Sequence, residues 1–248
     1  MAEKGFLSDL TFIGGTCLRD CYGSPRLSED LDFTGGRNFN RDLLHDLGPM
    51  LVASLGEKYS LPVTVGEPIR EEGNVDTWKI RLITRPERPD LSAQKINIDI
   101  CAIHSHKRQP ATLRNNYGVD MGTFGLIVQT ESLEEILADK YIALAMRPNR
   151  VKQRDIWDLY WLDLQGIVID LSLLKDKLGD RNIGIVDFKA AFSARIEGLD
   201  GGYSEFKKEI SRFLPLTVTR GLDQSGYWES LTGGLKHKAA HILGGLPA

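Results

Sequence analysis

The chain has 248 residues, 42% of them hydrophobic and 26% charged, with a formal net charge of −3. This is an ordinary globular composition, long enough for one large domain or two modest ones with sizeable cores. The slight acidity excludes a general nucleic-acid binder, so any such role must come from a local basic patch. The first residues, MAEKGFLSDL, lack the basic region and long apolar stretch of a signal peptide. A membrane span is not expected either, because there is no run of about 18 apolar residues. The three cysteines, Cys17, Cys21 and Cys101, are odd in number and have no framework spacing, which points to free thiols in a reducing compartment. Cys101, His104 and His106 are zinc-ligand types, but no fourth ligand is evident and residues 104–108 read as a polar loop.

Residues 10–13 form a short apolar run that predicts a strand leading into Gly14, Gly15 and Thr16. Paired glycines permit dihedrals closed to other residues and let a ligand approach the amides. Residues 16–22 suit a short helix with Leu18 inward and Arg19 exposed, its first amides aimed at an anion. Taken alone, a glycine pair is better explained by a plain strand-to-helix turn. Gly23 and Pro25 mark a loop, and residues 31–34 predict the next strand. Side chains alternate along a strand, so Asp30 and Asp32 share one face while Leu31 and Phe33 share the other. Like charges side by side repel, but a magnesium ion between them reverses the sign, since it prefers hard carboxylate oxygens and bridges to phosphate. The plainer alternative is two solvated aspartates at a strand end.

Residues 41–59 have helical spacing through Leu43, Leu44, Leu47, Leu51 and Leu55, with Pro49 kinking or dividing the helix. Residues 62–67, 77–84 and 95–100 predict three strands. In the third, Ile96, Ile98 and Ile100 take one face and Lys95, Asn97 and Asp99 the other. Asp99 therefore adds a third carboxylate to Asp30 and Asp32 if the strands are neighbours. Residues 104–121 read as a polar loop. Ser132 and Glu135 have capping-box spacing, and Ile136, Lys140, Tyr141 and Leu144 recur on about one face of the helix that follows. Lys140 either covers the core with its stem or reaches toward a triphosphate. Arg147, Arg150, Lys152 and Arg154 form a basic patch without an acid among them, a pattern shared by solvated charge runs. Asp155 and Asp158 share a helix face with Arg154 within reach of Asp158; as a surface ion pair this would contribute little. Helical patterns at 171–178, 187–196, 204–213 and 227–235 make up a C-terminal lobe with no chemical motif, internal repeat or low-complexity tract.

Four segments between residues 10 and 162 carry a resemblance. They are GGTCLR at 14–19 with the R-x-S-x-D-L-D-F run at 26–33, KINIDI at 95–100, LADKYIALAMR at 137–147, and KQRDIWDLYWL at 152–162. Their order and combination resemble the AbiEii/AbiGii-type toxin nucleotidyltransferases of type IV toxin–antitoxin systems, a branch of the polymerase-β-like nucleotidyltransferases. The glycine motif stands nearer the N-terminus than in relatives, which usually carry a longer helical segment ahead of it.

The resemblance implies an α/β (α+β) fold. A mixed sheet flanked by helices would form a nucleotidyltransferase core with the metal site at 1–125, and a mostly helical lobe at 126–248 would close the nucleotide cleft. It implies an enzyme that moves NMP from an NTP to an acceptor hydroxyl at the 3′ end of tRNA, acting as a cytoplasmic toxin with a cognate antitoxin. Asp30 and Asp32 would hold two Mg²⁺ ions (Mn²⁺ being the alternative), with Asp99 assisting at the acceptor side. Gly14, Gly15, Thr16, Arg19 and Ser28 would contact the triphosphate. Lys140 would add charge at its β/γ-phosphates, oriented by Asp155 with Asp158 in support. Arg147, Arg150, Lys152 and Arg154 would guide an RNA backbone. Two other readings compete: transfer to a small-molecule or protein hydroxyl, and a non-catalytic nucleotide-binding regulator.

Overall fold

The computed structural model describes residues 1–68, 74–116, 118–120 and 122–247. Two compact units divide it, one formed by Met1–Gly23 and Ser28–Glu131, the other by Ser24–Leu27 and the chain from Ser132 onward. The first unit thus extends past the boundary expected at residue 125, and a four-residue piece of its own stretch belongs to the second.

In the first unit the chain runs β1 (Thr11–Ile13), α1 (Gly14–Asp20), β2 (Leu31–Thr34), a 3₁₀ turn at Arg41–Leu44, α2 (Leu47–Tyr59), β3 (Val63–Gly66), β4 (Val75–Leu82), β5 (Gln94–Cys101), β6 (Arg108–Thr112) and β7 (Ile127–Glu131). The seven strands form one mixed sheet in the order β3-β4-β5-β2-β1-β7-β6. β2 runs parallel to β5 and β1 parallel to β7, while the other pairs are antiparallel. The β-branched alternation of KINIDI does what it predicts: Ile98 and Ile100 are buried, with Phe33, Trp78 and Ile80 also in the core. Phe12 and Phe33 stack at 5.0 Å across paired strands.

Two local expectations change and a third is settled. Residues 104–121 contain a strand, β6, which the polar stretch RQPAT hides. It lies at the sheet's edge, where Pro110 removes no needed ladder donor; positions 117 and 121 of that stretch lie outside the described residues. Gly14 and Gly15 make no separate turn, because β1 passes straight into α1. Of the two alternatives at Pro49, the stretch 41–59 is divided rather than kinked. Pro49 occupies the first turn of α2, where a backbone N–H has no intrahelical partner, and the 3₁₀ turn stands apart before it.

The second unit is helical: α3 (Leu133–Met146), α4 (Gln153–Leu164), α5 (Leu171–Asp180), α6 (Ile185–Glu197), α7 (Tyr203–Ile210), α8 (Leu216–Thr219) and α9 (Tyr227–Gly245). Ser132 caps α3 by accepting from the Glu135 N–H. The Glu135 carboxylate does not close the capping box; it accepts at 2.7 Å from Lys177 of α5, and both side chains are fully buried. Lys177 also meets Asp139 at 2.8 Å, and Asp139 meets Arg181 at 2.7 Å. Ile136, Leu144, Ile156, Leu162, Phe188 and Phe192 are buried in the same unit. Among the described residues, no helix is long and apolar enough to cross a membrane.

Candidate active site

In the first unit the site forms where β1, β2 and β5 lie side by side. Asp32 is the register partner of Ile13 on one side and of Asp99 on the other. Because β2 and β5 are parallel and in register there, the two aspartates project from the same face of neighbouring strands. Asp30 precedes β2 by one residue and lies a step along that face, its Oδ1 accepting from the Asn97 N–H at 3.2 Å. One oxygen of Asp99, Oδ1, is buried without a hydrogen-bond partner among the described residues. A buried unpaired carboxylate oxygen next to a second carboxylate is unfavourable without a cation. The donor set is hard oxygen, which suits Mg²⁺ or Mn²⁺. Among the described residues, no group of three His, Cys, Asp or Glu is gathered closely enough to hold a metal; Asp32 and Asp99 are the adjacent pair, and Asp30 has one oxygen committed to Asn97. His104 and His106 pack edge to face at 4.9 Å.

Gly14 is required by this arrangement. It has φ 75°, and a Cβ there would fall 2.3 Å from Asp32 Oδ2. Gly14→Ala is therefore expected to lower stability by about 1–3 kcal/mol, from left-handed strain together with the clash. It should also displace the Asp32 carboxylate, so that transfer activity falls further than the melting temperature accounts for. Thermal melts and transfer rates measured on one preparation check this.

The other first-unit candidates are differently employed than expected. The Thr16 hydroxyl donates to the Asp30 carbonyl, so it fixes the backbone beside the carboxylates. Arg19 is buried rather than exposed, since the run Gly15–Arg19 of the short helix α1 is enclosed; its Nε lies 3.7 Å from the Asp20 carboxylate. Gly15 is buried and Ser28 half-buried.

In the second unit, α3 and α4 bring together a buried charge network. Lys140 Nζ lies 3.1 Å from Asp155 Oδ1 and 2.6 Å from Asp158 Oδ2. Asp155 Oδ2 accepts from Arg147 Nε at 2.7 Å. Asp158, fully buried, is gripped bidentately by Arg26, with Nε at 2.7 Å and Nη2 at 2.8 Å. The spacing of Asp155 and Asp158 on one helix face thus holds a lysine. Arg154 does not pair with Asp158 as the spacing allowed; its guanidinium lies over the Phe213 ring at 5.0 Å. Arg26 is the member of this network to which the sequence alone assigns no role. Its signal was a lone arginine inside the R-x-S-x-D-L-D-F run, but the partner lies 132 positions away.

Lys140 has three N–H donors and two carboxylates on it, which leaves one direction for a ligand. Burial would lower its pKa, but the Asp158 and Asp155 charges outweigh that and hold it above its usual value, so the ammonium stays charged at neutral pH. Burial likewise pushes Asp155 up, yet Lys140 and then Arg147 bring it down to about 2. A carboxyl depressed from 3.8 to about 2 stabilises the fold above pH ~4, and this stabilisation is lost as pH falls through ~2. The expected loss is about 2 kcal/mol. Denaturant midpoints from pH 5 to 2 should drop more steeply for the native chain than for Asp155→Asn.

The basic run lines a cavity of about 410 Å³ formed by Arg147, Arg150, Lys152, Arg154 and Glu209. Arg150 is partly neutralised there, with Glu205 at 2.9 Å and Glu209 at 3.4 Å.

A mixed sheet that sets two aspartates side by side next to a helix-opening glycine is the arrangement expected of a nucleotidyltransferase. The family model described as nucleotidyl transferase AbiEii toxin, type IV TA system, matches residues 1–229. The chain belongs to that family. No curated protein gives a sequence match. Among solved structures, MenT4, the nucleotidyltransferase toxin Rv2826c from Mycobacterium tuberculosis H37Rv, is 14% identical, covering 96% of this chain and 85% of that one with a TM-score of 0.50. A putative nucleotidyltransferase from Helicobacter pylori is 18% identical over 97% and 90% of the two chains, with a TM-score of 0.49.

Proposed function

We propose that this toxin-family enzyme moves NMP from an NTP to a hydroxyl at the 3′ end of an RNA, tRNA being the acceptor, in the cytoplasm and under the control of a cognate antitoxin. The observation that carries the reading is the in-register pair Asp32 and Asp99 with its unpaired buried oxygen. Those two aspartates would hold Mg²⁺, with Asp30 a step along the same face. When bound, the metal supplies charge neutralisation at the reacting phosphate and lowers the pKa of the attacking hydroxyl. Gly14 keeps the space at Asp32 clear, and Thr16 fixes the backbone at Asp30. Lys140 offers its remaining N–H to a triphosphate oxygen. The cation-lined cavity after α3 favours a polyanionic acceptor over a small neutral one.

The test is incubation of the protein with each labelled NTP, Mg²⁺ and total RNA. Label should enter RNA with one preferred NTP and be abolished by chelation. Label that enters RNA equally with Asp32→Ala, or only a small hydroxylated acceptor, would overturn the assignment.

A further inference from the structure

The sheet face that carries Asp32 and Asp99 does not end with them. Strand register continues it across β5, β4 and β3: Asp99 stands opposite Thr77, Asn97 opposite Lys79, and Lys95 opposite Arg81, with Gly66 and Thr64 beyond on β3. Residues opposite one another, and alternate residues along a strand, share a face. The reverse face is the packed one, where Trp78, Ile80, Ile98 and Ile100 are buried. On the carboxylate side Lys79, Arg81 and Lys95 are all exposed. This face is therefore divided by charge. Asp32 and Asp99 mark one end; the cations begin at the row of Lys79, about 7 Å along the strands from Asp99, and end at the row of Arg81 and Lys95, about 13 Å along.

Two features set these cations apart from an ordinary solvated sheet face. Arg81 and Lys95 are register partners, and like charges directly opposite destabilise a pair of strands. Lys79 sits diagonally from Lys95 and adds to the repulsion. In addition, none of the three is in an ion pair among the described residues, and the described part of this face from β3 to β5 holds no acid other than Asp99. An anion reverses the sign of the repulsion here, as a cation does at Asp32 and Asp99. The face is built from strands alone, and its cations are spread over two rows and two strands rather than gathered round one point. Charge spaced in rows away from a metal-holding pair suits a chain of phosphates whose end lies at the carboxylates.

We infer that this face is the platform for the acceptor strand: Lys79, Arg81 and Lys95 hold the phosphodiester backbone of a single-stranded RNA end and lead its terminal hydroxyl to Asp99 and Asp32. The inference rests on the RNA-acceptor reading for the identity of the strand. It lies wholly within the sheet unit and uses none of the cations around the cavity after α3. Backbone contacts of this kind carry no sequence information, so the platform sets affinity and orientation and leaves base choice alone. The phosphates of a free NTP share the same chemistry, and the two sources are separated by experiment.

The test replaces each cation by glutamine in the full-length chain, with Lys175→Gln, at an exposed position of α5, as the control. Transfer to purified tRNA gives KM for the NTP and for the RNA separately. Binding of a labelled eight-nucleotide single-stranded RNA is measured on chains that also carry Asp32→Asn, so that no turnover intervenes. Lys79→Gln, Arg81→Gln and Lys95→Gln should each raise the KM and the Kd for RNA roughly five-fold and leave KM for the NTP unchanged. The slope of log affinity against log salt should shrink by about 0.7 for each cation removed. All three variants should melt no lower than the native chain, since each removal relieves like-charge repulsion, which separates lost binding from lost folding. A higher KM for the NTP with RNA binding unchanged would assign the cations to the nucleotide and overturn the acceptor platform. Values equal to those of Lys175→Gln throughout would show a solvated face and overturn it as well. RNA binding that depends on the three cations without any label transfer to RNA would instead sink the proposed reaction and leave the platform standing. Transfer to RNA at an unaltered KM in every variant would do the reverse.

Discussion

Asp32→Asn and Asp99→Asn are each expected to lower nucleotidyl transfer by about 10³-fold, while leaving the metal-free protein as stable as the native chain or more so. The two effects come from one piece of geometry. Asp32 and Asp99 are register partners on parallel neighbours and carry like charge on one face, an arrangement that destabilises a sheet in the absence of a cation. Removing one charge relieves the repulsion. The same removal halves the carboxylate pair available to a metal, whose charge stabilisation is worth several kcal/mol, each 1.4 kcal/mol being tenfold in rate. Asp99→Asn also changes the oxygen that is buried without a partner. Melting temperatures in chelator, melting temperatures with added Mg²⁺ and transfer rates together decide the case. Mg²⁺ should raise the native midpoint by mass action and move the variants less. A variant that loses stability in chelator along with its activity would show the pair to be structural.

That pair was legible in the sequence because strand alternation is a local rule. Leu31 and Phe33 against Asp30 and Asp32, and Ile96, Ile98 and Ile100 against Asp99, fix which face each acid takes before any tertiary contact is known. Adjacency of β2 and β5 was not readable from local pattern, and it is what makes the acids a pair. Edge strand β6 escaped because RQPAT has neither alternation nor β-branched content, and an edge position demands little of either. In α9 the helical pattern at 227–235 stops ten residues short of the observed end. The helix continues to Gly245 through Gly233 and Gly234, whose cost in helix propensity is outweighed by burial of Ala239 and Ile242. Arg19 was placed outward by periodicity, but a helix enclosed on successive residues leaves periodicity nothing to report.

The charge network of the helical unit was only half legible. Spacing put Asp155 and Asp158 on one face and Lys140 among apolar neighbours, and the three do meet. Missing was the reason they can be buried. Segment Ser24–Leu27 leaves the sheet unit and joins the helical one, and with it Arg26 reaches Asp158. Nothing local announces such a crossing. The surface ion-pair expectation for Asp158 fails for the same reason, since its side chain is 0% exposed and its partner comes from far along the chain.

Arg26→Ala should therefore be among the most damaging substitutions in the protein outside the carboxylate pair, with an expected loss of about 3–5 kcal/mol, the usual consequence of stranding one member of a buried ion pair. The network holds three cations, Arg26, Lys140 and Arg147, against Asp155 and Asp158. Without Arg26, Asp158 keeps only Lys140, which is drawn toward it and away from both Asp155 and any ligand. Activity should fall beyond what residual folding explains. Arg26→Lys should rescue little, since a single ammonium cannot reproduce two parallel N–H···O bonds at 2.7 and 2.8 Å. Arg26→Met combined with Asp158→Leu should regain part of the stability, because replacing both charges leaves none unpaired, yet it should not regain activity, because Lys140 then has one anchor instead of two. Urea midpoints at constant m measure the stability terms, and the double-mutant cycle gives the coupling. A single Arg26→Ala loss below about 1 kcal/mol would place the pair with ordinary exposed ones and remove Arg26 from any account of how Lys140 is held.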